Sequence, residues 1–292
     1  MTSKNWSGKT DGTPWMQRKL IVIYRAVGLR PMYAIMSLVI PFYMLLRHKS
    51  YLAAYRFFRN RMHYGRFKSF INVYRNHYVF GQIVLDRFAA YAGKKFRLNM
   101  EGYNKFLCMA NGEDGFIMLS SHVGNYEVAG YTLVSEKKPF KALVYAGETA
   151  TVMENRLRIL GHNNISLIPI SSDMSHVFIM SDALSKGEIL SMSGDRVVGS
   201  KTVDCMFFGE KAKFPIGPFA LAIQRDAKML AVFVLKQNVD SYQVFIKEIV
   251  ADKNEKMKNE RISSLAQSFA NELECVVRKY PEQWFNYYNF WE

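Results

Sequence analysis

From Phe96 onward, short apolar runs alternate with amphipathic ones, and this alternation limits the fold more than any other feature of the chain. The runs read as strand Phe96 to Met100, helix Asn104 to Asn111, strand 116 to 120, helix 126 to 136, strand Ala142 to Tyr145 and helix Thr151 to Leu160. They continue as strand Ile165 to Ile170, helix Met174 to Lys186 and strand Ile189 to Met192. Strands joined through helices run parallel, because each connection has to cross back over the sheet. The expected class is therefore α/β, a mostly parallel sheet covered by helices. A helix of about ten residues after Pro218 and a strand pair, Met229 to Leu235 with Tyr242 to Ile249, follow. A charged linker, Asp252 to Asn259, leads to a last amphipathic helix ending near Tyr280.

One strand end carries chemistry. After Gly115-Phe116-Ile117-Met118-Leu119 comes Ser120-Ser121-His122-Val123-Gly124-Asn125-Tyr126-Glu127. Five residues of α-helix turn through about 500°, which would leave His122 and Glu127 roughly 140° apart. An acid–base pair at this spacing thus requires a loop-to-helix corner. Gly124 permits such a turn, and Asn125 suits the N-cap of a helix starting near Tyr126. Glu127 would then lie in the first turn, where the helix dipole favours its charge. A carboxylate on one imidazole nitrogen leaves the other to accept a proton from a substrate hydroxyl, as in Ser-His-Asp chemistry with the serine replaced by substrate. The same spacing also suits a loop histidine and a simple helix cap.

Charge narrows the partners. The net charge is +14, which favours an anionic partner: a membrane surface, nucleic acid or an acidic carrier. Cys108, Cys205 and Cys275 stand far apart, without the spacing of a zinc site or a disulfide framework. Residues 1–16 are polar and glycine-containing, the pattern of a flexible terminus, and lack the apolar core of a signal peptide. Residues 17–49 read as a membrane-anchoring helical segment, with a buried core helix as the alternative: Pro31 to Leu46 has no charged residue and is flanked by Arg25, Arg30, Arg47 and Lys49. Tyr24, Tyr33 and Tyr43 are placed to meet the membrane interface. Residues 50–93 form a helical lead-in dense in arginine and aromatics, whose basic face suits anionic headgroups. The α/β core occupies 94–292.

Two more clusters fall just beyond strand ends, where ligands of such sheets bind. Ser193-Gly194-Asp195-Arg196 follows one strand; Asn155-Arg156-Leu157-Arg158 follows another. The arginines suit a phosphate or an oxyanion, or are surface charges; Asp195 suits an arginine or a substrate group, or is a turn residue. Gly194-x4-Gly199 before Ser200-Lys201-Thr202 has one residue too many for a phosphate loop and sits between strands. No G-x-S-x-G serine-hydrolase motif and no metal-ligand spacing occur.

Taken together, His122-x4-Glu127, Arg156-Leu157-Arg158, Gly194-Asp195-Arg196, Phe207-Phe208-Gly209-Glu210 through Pro215-Ile216-Gly217-Pro218, and Tyr280-Pro281-Glu282-Gln283-Trp284 resemble the bacterial lipid A late acyltransferases. These belong to the lysophospholipid acyltransferase superfamily, and the resemblance covers residues 20 to 291. It implies a glycerolipid acyltransferase-like fold over 50–292, His122 as general base and Glu127 as its orienting carboxylate, with no acyl-enzyme. Asn125, Arg156, Arg158, Asp195 and Arg196 would bind substrate. The implied donor is an acyl carrier protein thioester (acyl-ACP) or acyl-CoA, with no metal or bound cofactor. The implied acceptor is a hydroxyl of a lipid A precursor, at the cytoplasmic face of the inner membrane, and no nucleic acid is expected. Asp195-Arg196-Val197-Val198 and Tyr145-Ala146-Gly147-Glu148 depart from the family pattern, which leaves another acceptor open: an amino-acid lipid, a lysophospholipid, or a pigment or polyene precursor. A non-catalytic basic binding protein is the alternative of a different class.

Overall fold

The computed structural model describes residues 13–128, 133, 135, 137–144, 165–170, 173, 175–197 and 201–291. Its centre is a seven-stranded sheet in the order β1-β9-β8-β2-β5-β3-β4. The strands are β1 (Arg97–Glu101), β2 (Phe116–Ser120), β3 (Phe140–Val144), β4 (Ile165–Pro169), β5 (Ile189–Ser193), β8 (Lys228–Lys236) and β9 (Ser241–Ile249). Every pairing is parallel except the β8–β9 hairpin, in keeping with the α/β expectation. β2 lies in the middle and is apolar from Phe116 to Leu119 because both its faces are covered.

Helices cover the two faces. On one side α5 (Tyr103–Asn111) packs Phe106 and Ala110 against Phe116, Val232 and Val244. On the other, α6 (Ser175–Ser185), α7 (Gly217–Arg225) and α8 (Lys258–Lys279) close the larger core. In α8, Ile262, Leu265, Ala266, Phe269, Ala270, Leu273, Val276 and Val277 recur at intervals of three and four and form its buried stripe. Phe269 alone, fully buried against Phe214, Phe219 and Phe233, contributes roughly 2–3 kcal/mol of hydrophobic burial.

A hairpin, β6 (Thr202–Phe207) and β7 (Glu210–Pro215), packs on α8 apart from the main sheet. Its turn residues Phe208 and Gly209 have φ of +53° and +79°, the left-handed pair that a tight two-residue hairpin requires. Thr202 opens a strand rather than a helix, which removes the phosphate-loop reading of Gly194 to Thr202.

The stretch expected as one anchoring segment is two helices, α1 (Pro14–Val27) and α2 (Leu29–Leu46), parted at Gly28 with φ +74°. Both lie on α4 (Arg66–Tyr91), which follows α3 (His48–Arg56) and a π-helical turn, Phe57–Arg61. Pro41 cannot donate to the carbonyl of Ser37, and the Tyr74 hydroxyl of α4 takes that oxygen at 3.0 Å. Gly81 lets the two helices close up: a Cβ there would stand 2.9 Å from Met36 Cγ. α2 is apolar and long enough to enter a membrane, yet Leu29, Met32, Tyr33, Ile40 and Met44 are buried inside the protein. Tyr33 is therefore a core residue, where the sequence places it at a membrane interface.

Candidate active site

The site is built where β2 ends. Beyond Ser120 the chain leaves the sheet and turns at Gly124, whose φ is +63°. A Cβ at Gly124 would lie 2.0 Å from the Val234 carbonyl oxygen of β8, so only glycine fits the corner. The Asn125 N–H donates to that same oxygen at 2.7 Å. From below, the segment Pro281–Gln283, a short 3-10 turn, and the two residues after it clamp the corner. Gly124 N–H donates to Gln283 O at 2.8 Å, Phe285 N–H donates to His122 O at 2.9 Å, and Val123 bridges to Trp284. That segment is itself fixed by Asn76 of α4, whose amide donates to the carbonyls of Glu282 and Trp284 at 3.0 and 2.9 Å.

His122 thus rests on a rigid loop with its side chain 18% exposed. Its Nδ1 lies 2.8 Å from Asp195 Oδ1, and its backbone N–H donates to Asp195 Oδ2 at 2.7 Å. Asp195 stands just past β5, held there by the Gly194 N–H to Ser120 O bond of 2.9 Å. Burial and the nearby Arg196 charge lower the imidazole pKa below 6.5, against the opposing pull of Asp195, so the ring is neutral at pH 7. Burial also disfavours the Asp195 charge, but His122 and Arg196 outweigh it and hold that carboxyl below its usual range. An ionised Asp195 accepting from Nδ1–H fixes the tautomer and points Nε2 away from itself. This is the arrangement of a general base.

The carboxylate on Nδ1 is that of Asp195 and not of Glu127, which corrects the pairing expected from the sequence. The helical turn beginning at Tyr126 carries Glu127 toward α4, where its carboxylate pairs with Arg87 Nε at 3.0 Å and accepts from the Tyr91 hydroxyl at 3.3 Å. Asn125 is corrected as well. It is 2% exposed, its amide donates to the Tyr242 hydroxyl at 3.1 Å, and it belongs to the frame of the corner rather than to a substrate surface. Arg196 does stand beside the site, its Nη2 donating to Phe285 O at 2.8 Å and its guanidinium facing the Tyr288 ring. Arg156 and Arg158 lie outside the described residues, as do helix 151–160 and all of helix 126–136 after Val128 except Leu133 and Ser135. Among the described residues, no three His, Cys, Asp or Glu side chains converge as a metal site would require.

Three supporting residues have no signature in the sequence: Arg87, Tyr91 and Tyr242 read as ordinary helix and strand positions. Gln283 does have one, since a polar residue in the aromatic stretch Tyr280 to Trp284 needs a partner. Its side chain pairs with both backbone groups of Lys236, donating to O at 2.8 Å and accepting from N at 2.9 Å.

Known proteins share parts of this chain. Phosphatidylinositol mannoside acyltransferases are among the matches: that of Mycobacterium tuberculosis (strain ATCC 25618 / H37Rv) is 23% identical over 117 residues, and that of Mycolicibacterium smegmatis is 19% identical over 171. The matches take in 40% and 58% of this chain but 37% and 54% of those proteins, so the chain spans about two-fifths to half the length of the curated relatives it matches. The crystal structure of the 1-acyl-sn-glycerophosphate acyltransferase PlsC from Thermotoga maritima superposes with a TM-score of 0.43 at 11% identity, over 88% of this chain and 99% of that one. The model of one family runs from Tyr78 in α4 to residue 292 and so takes in β2, the His122 corner, Asp195 and the clamp beneath them. By that match, the chain belongs to the bacterial lipid A biosynthesis acyltransferase family.

Proposed function

We propose that the protein transfers a fatty acyl chain from a thioester donor to a hydroxyl of a membrane glycolipid, with His122 as general base. The observation that carries this reading is the His122–Asp195 pair at the carboxyl ends of two adjacent parallel strands. In the reaction, Nε2 of His122 removes the proton of the acceptor hydroxyl while its oxygen attacks the thioester carbonyl. The tetrahedral intermediate collapses, the C–S bond breaks, an ester forms, and the imidazolium returns the proton to the departing sulfur. Asp195 stabilises the imidazolium in between. The chain itself is never acylated.

The donor we assign is acyl-ACP, with acyl-CoA as the other thioester: an acidic carrier suits a protein of charge +14. The acceptor we assign is a lipid A precursor. The two mycobacterial relatives, phosphatidylinositol mannoside acyltransferases by name, favour a second acceptor class, a mannosylated phosphatidylinositol.

Membrane attachment at the cytoplasmic face of the inner membrane completes the reading. Ile35, Leu38, Phe42, Leu45 and Leu46 line the outer side of α2 and are exposed, while its inner side is packed on α4. A helix apolar on both sides but bonded to the protein along one of them suits lying in the lipid surface rather than crossing it. Arg18, Lys19, Arg25, Arg30 and Arg47 supply the charge for anionic headgroups.

The test uses purified protein, labelled acyl-ACP or acyl-CoA, and a panel of acceptors holding a lipid A precursor and a mannosylated phosphatidylinositol. Transfer to the lipid A precursor that disappears in His122→Ala supports the full reading. Transfer only to the inositol lipid moves the acceptor, and no transfer to any acceptor by folded protein sinks the reaction class.

A further inference from the structure

Beneath the catalytic corner lies an ion pair that takes no part in the reaction just described. Asp86 of α4 is fully buried, Lys236 at the end of β8 is 8% exposed, and Lys236 Nζ donates to Asp86 Oδ2 at 2.5 Å. Removing two such charges from water is costly, and apolar residues of the same size usually stabilise a fold as well. The pair therefore needs another account, and its remaining hydrogen bonds supply one.

Two routes lead from the pair to His122. In the first, the Tyr242 hydroxyl of β9 donates to Asp86 Oδ2 and accepts the Asn125 amide at 3.1 Å. In the second, Lys236 holds Gln283 through its backbone, and the Gln283 carbonyl accepts the Gly124 N–H. Asn125 and Gly124 are the residues that turn the chain at the corner. A third connection runs outward: the Tyr33 hydroxyl of α2 donates to Asp86 Oδ1 and accepts from Lys236 Nζ at 3.0 Å. Helix α2, with its bare apolar outer face, is thus wired through one carboxylate to the loop that carries His122.

We infer that Asp86 and Lys236 are positioning residues, a hub that aligns His122 only while α2 is seated on the protein. The inference rests on His122 being the base, and it adds a dependence of that base on the helix nearest the lipid.

The test has two readouts. One is the rate at which diethyl pyrocarbonate carbethoxylates His122, measured by peptide mass spectrometry against the exposed His63 of the same molecule. The other is kcat against KM in the transfer assay. Tyr242→Phe breaks the first of the two routes from the hub to the corner, and Tyr33→Phe cuts the hub from α2. Each should change the relative reactivity of His122 by about threefold or more and lower kcat roughly 10- to 100-fold, with donor KM little changed. Phe106→Leu, a change in the same apolar cluster as Tyr242 but at a side chain with no hydrogen bond to the hub, should weaken the fold without either effect. Wild-type reactivity and kcat in folded Tyr242→Phe overturn the inference. A change in Tyr242→Phe but none in Tyr33→Phe overturns the part played by α2. If Tyr242→Phe does not fold, the neutral double variant Asp86→Asn/Lys236→Met takes its place, with the same expectations and the same overturning result. Should the wild type transfer no acyl group, the proposed reaction fails, while the His122 reactivities still decide the positioning.

Discussion

His122 and Asp195 each stand two residues beyond a strand end, and those ends, Ser120 of β2 and Ser193 of β5, face each other in the sheet. Parallel pairing brings together two side chains 73 positions apart in sequence. It also makes the dyad a property of the sheet rather than of one loop. Asp195→Asn leaves Nδ1 without an anionic partner, and kcat should fall roughly 10²–10⁴-fold with little change in donor KM. Steady-state kinetics on the purified variant check this, and activity within about threefold of wild type would remove Asp195 from the mechanism.

The pH profile distinguishes the two carboxylates near the corner. The base must be neutral, so kcat/KM should rise with pH through the His122 pKa, which lies below 6.5. Arg196 is one of the groups that depress this pKa. Arg196→Gln should therefore raise it and move the acid limb of the profile to higher pH. Glu127→Gln, which alters a carboxylate held by Arg87 and Tyr91, should leave the limb where it is. A limb displaced by Glu127→Gln and not by Arg196→Gln would return Glu127 to the histidine.

Gly124→Ala tests the corner itself. The new methyl would have to occupy space beside the Val234 oxygen at a φ of +63°. A cost of roughly 2–3 kcal/mol in unfolding free energy is expected, together with loss of activity. Chemical denaturation followed by tryptophan fluorescence measures it. A stable, fully active Gly124→Ala would mean that the corner is looser than drawn.

Gln283→Ala strips partners from both backbone groups of Lys236 and leaves them buried. About 2–4 kcal/mol of stability should be lost, more than a surface glutamine could account for. Gln283→Glu, which keeps one acceptor but loses the donor, should fall between the two.

For the membrane, Leu38→Asp together with Phe42→Asp puts charge on the exposed side of α2 without touching its packed side. Binding to anionic vesicles in a flotation assay should drop sharply, while melting temperature stays near wild type. Retained binding would place the lipid contact elsewhere.

Most of the framework is legible in the sequence because its signals are strong. β2 is bounded correctly from an unbroken apolar run between Gly115 and the polar corner, and the end of α8 follows from eight apolar residues at helical spacing. The hairpin β6–β7 is not delimited, although Val203, Cys205 and Phe207 alternate as a strand should, because its turn is Phe208-Gly209 rather than the usual Asn-Gly. The His122–Glu127 pairing fails for a different reason. Local spacing ranks a nearby carboxylate above a distant one, and only strand order and register reveal that Asp195 is the nearer in space. Tyr33 likewise reads as an interface tyrosine until Asp86, 53 positions on, is found beneath it.

The clamp under His122 also sets an order in time. Backbone groups of residues 281–285 complete a loop that lies about 160 positions earlier in sequence, so the corner that carries His122 is closed only once both stretches of chain exist. A polypeptide without residues 281–285 would therefore present His122 on an unclamped corner.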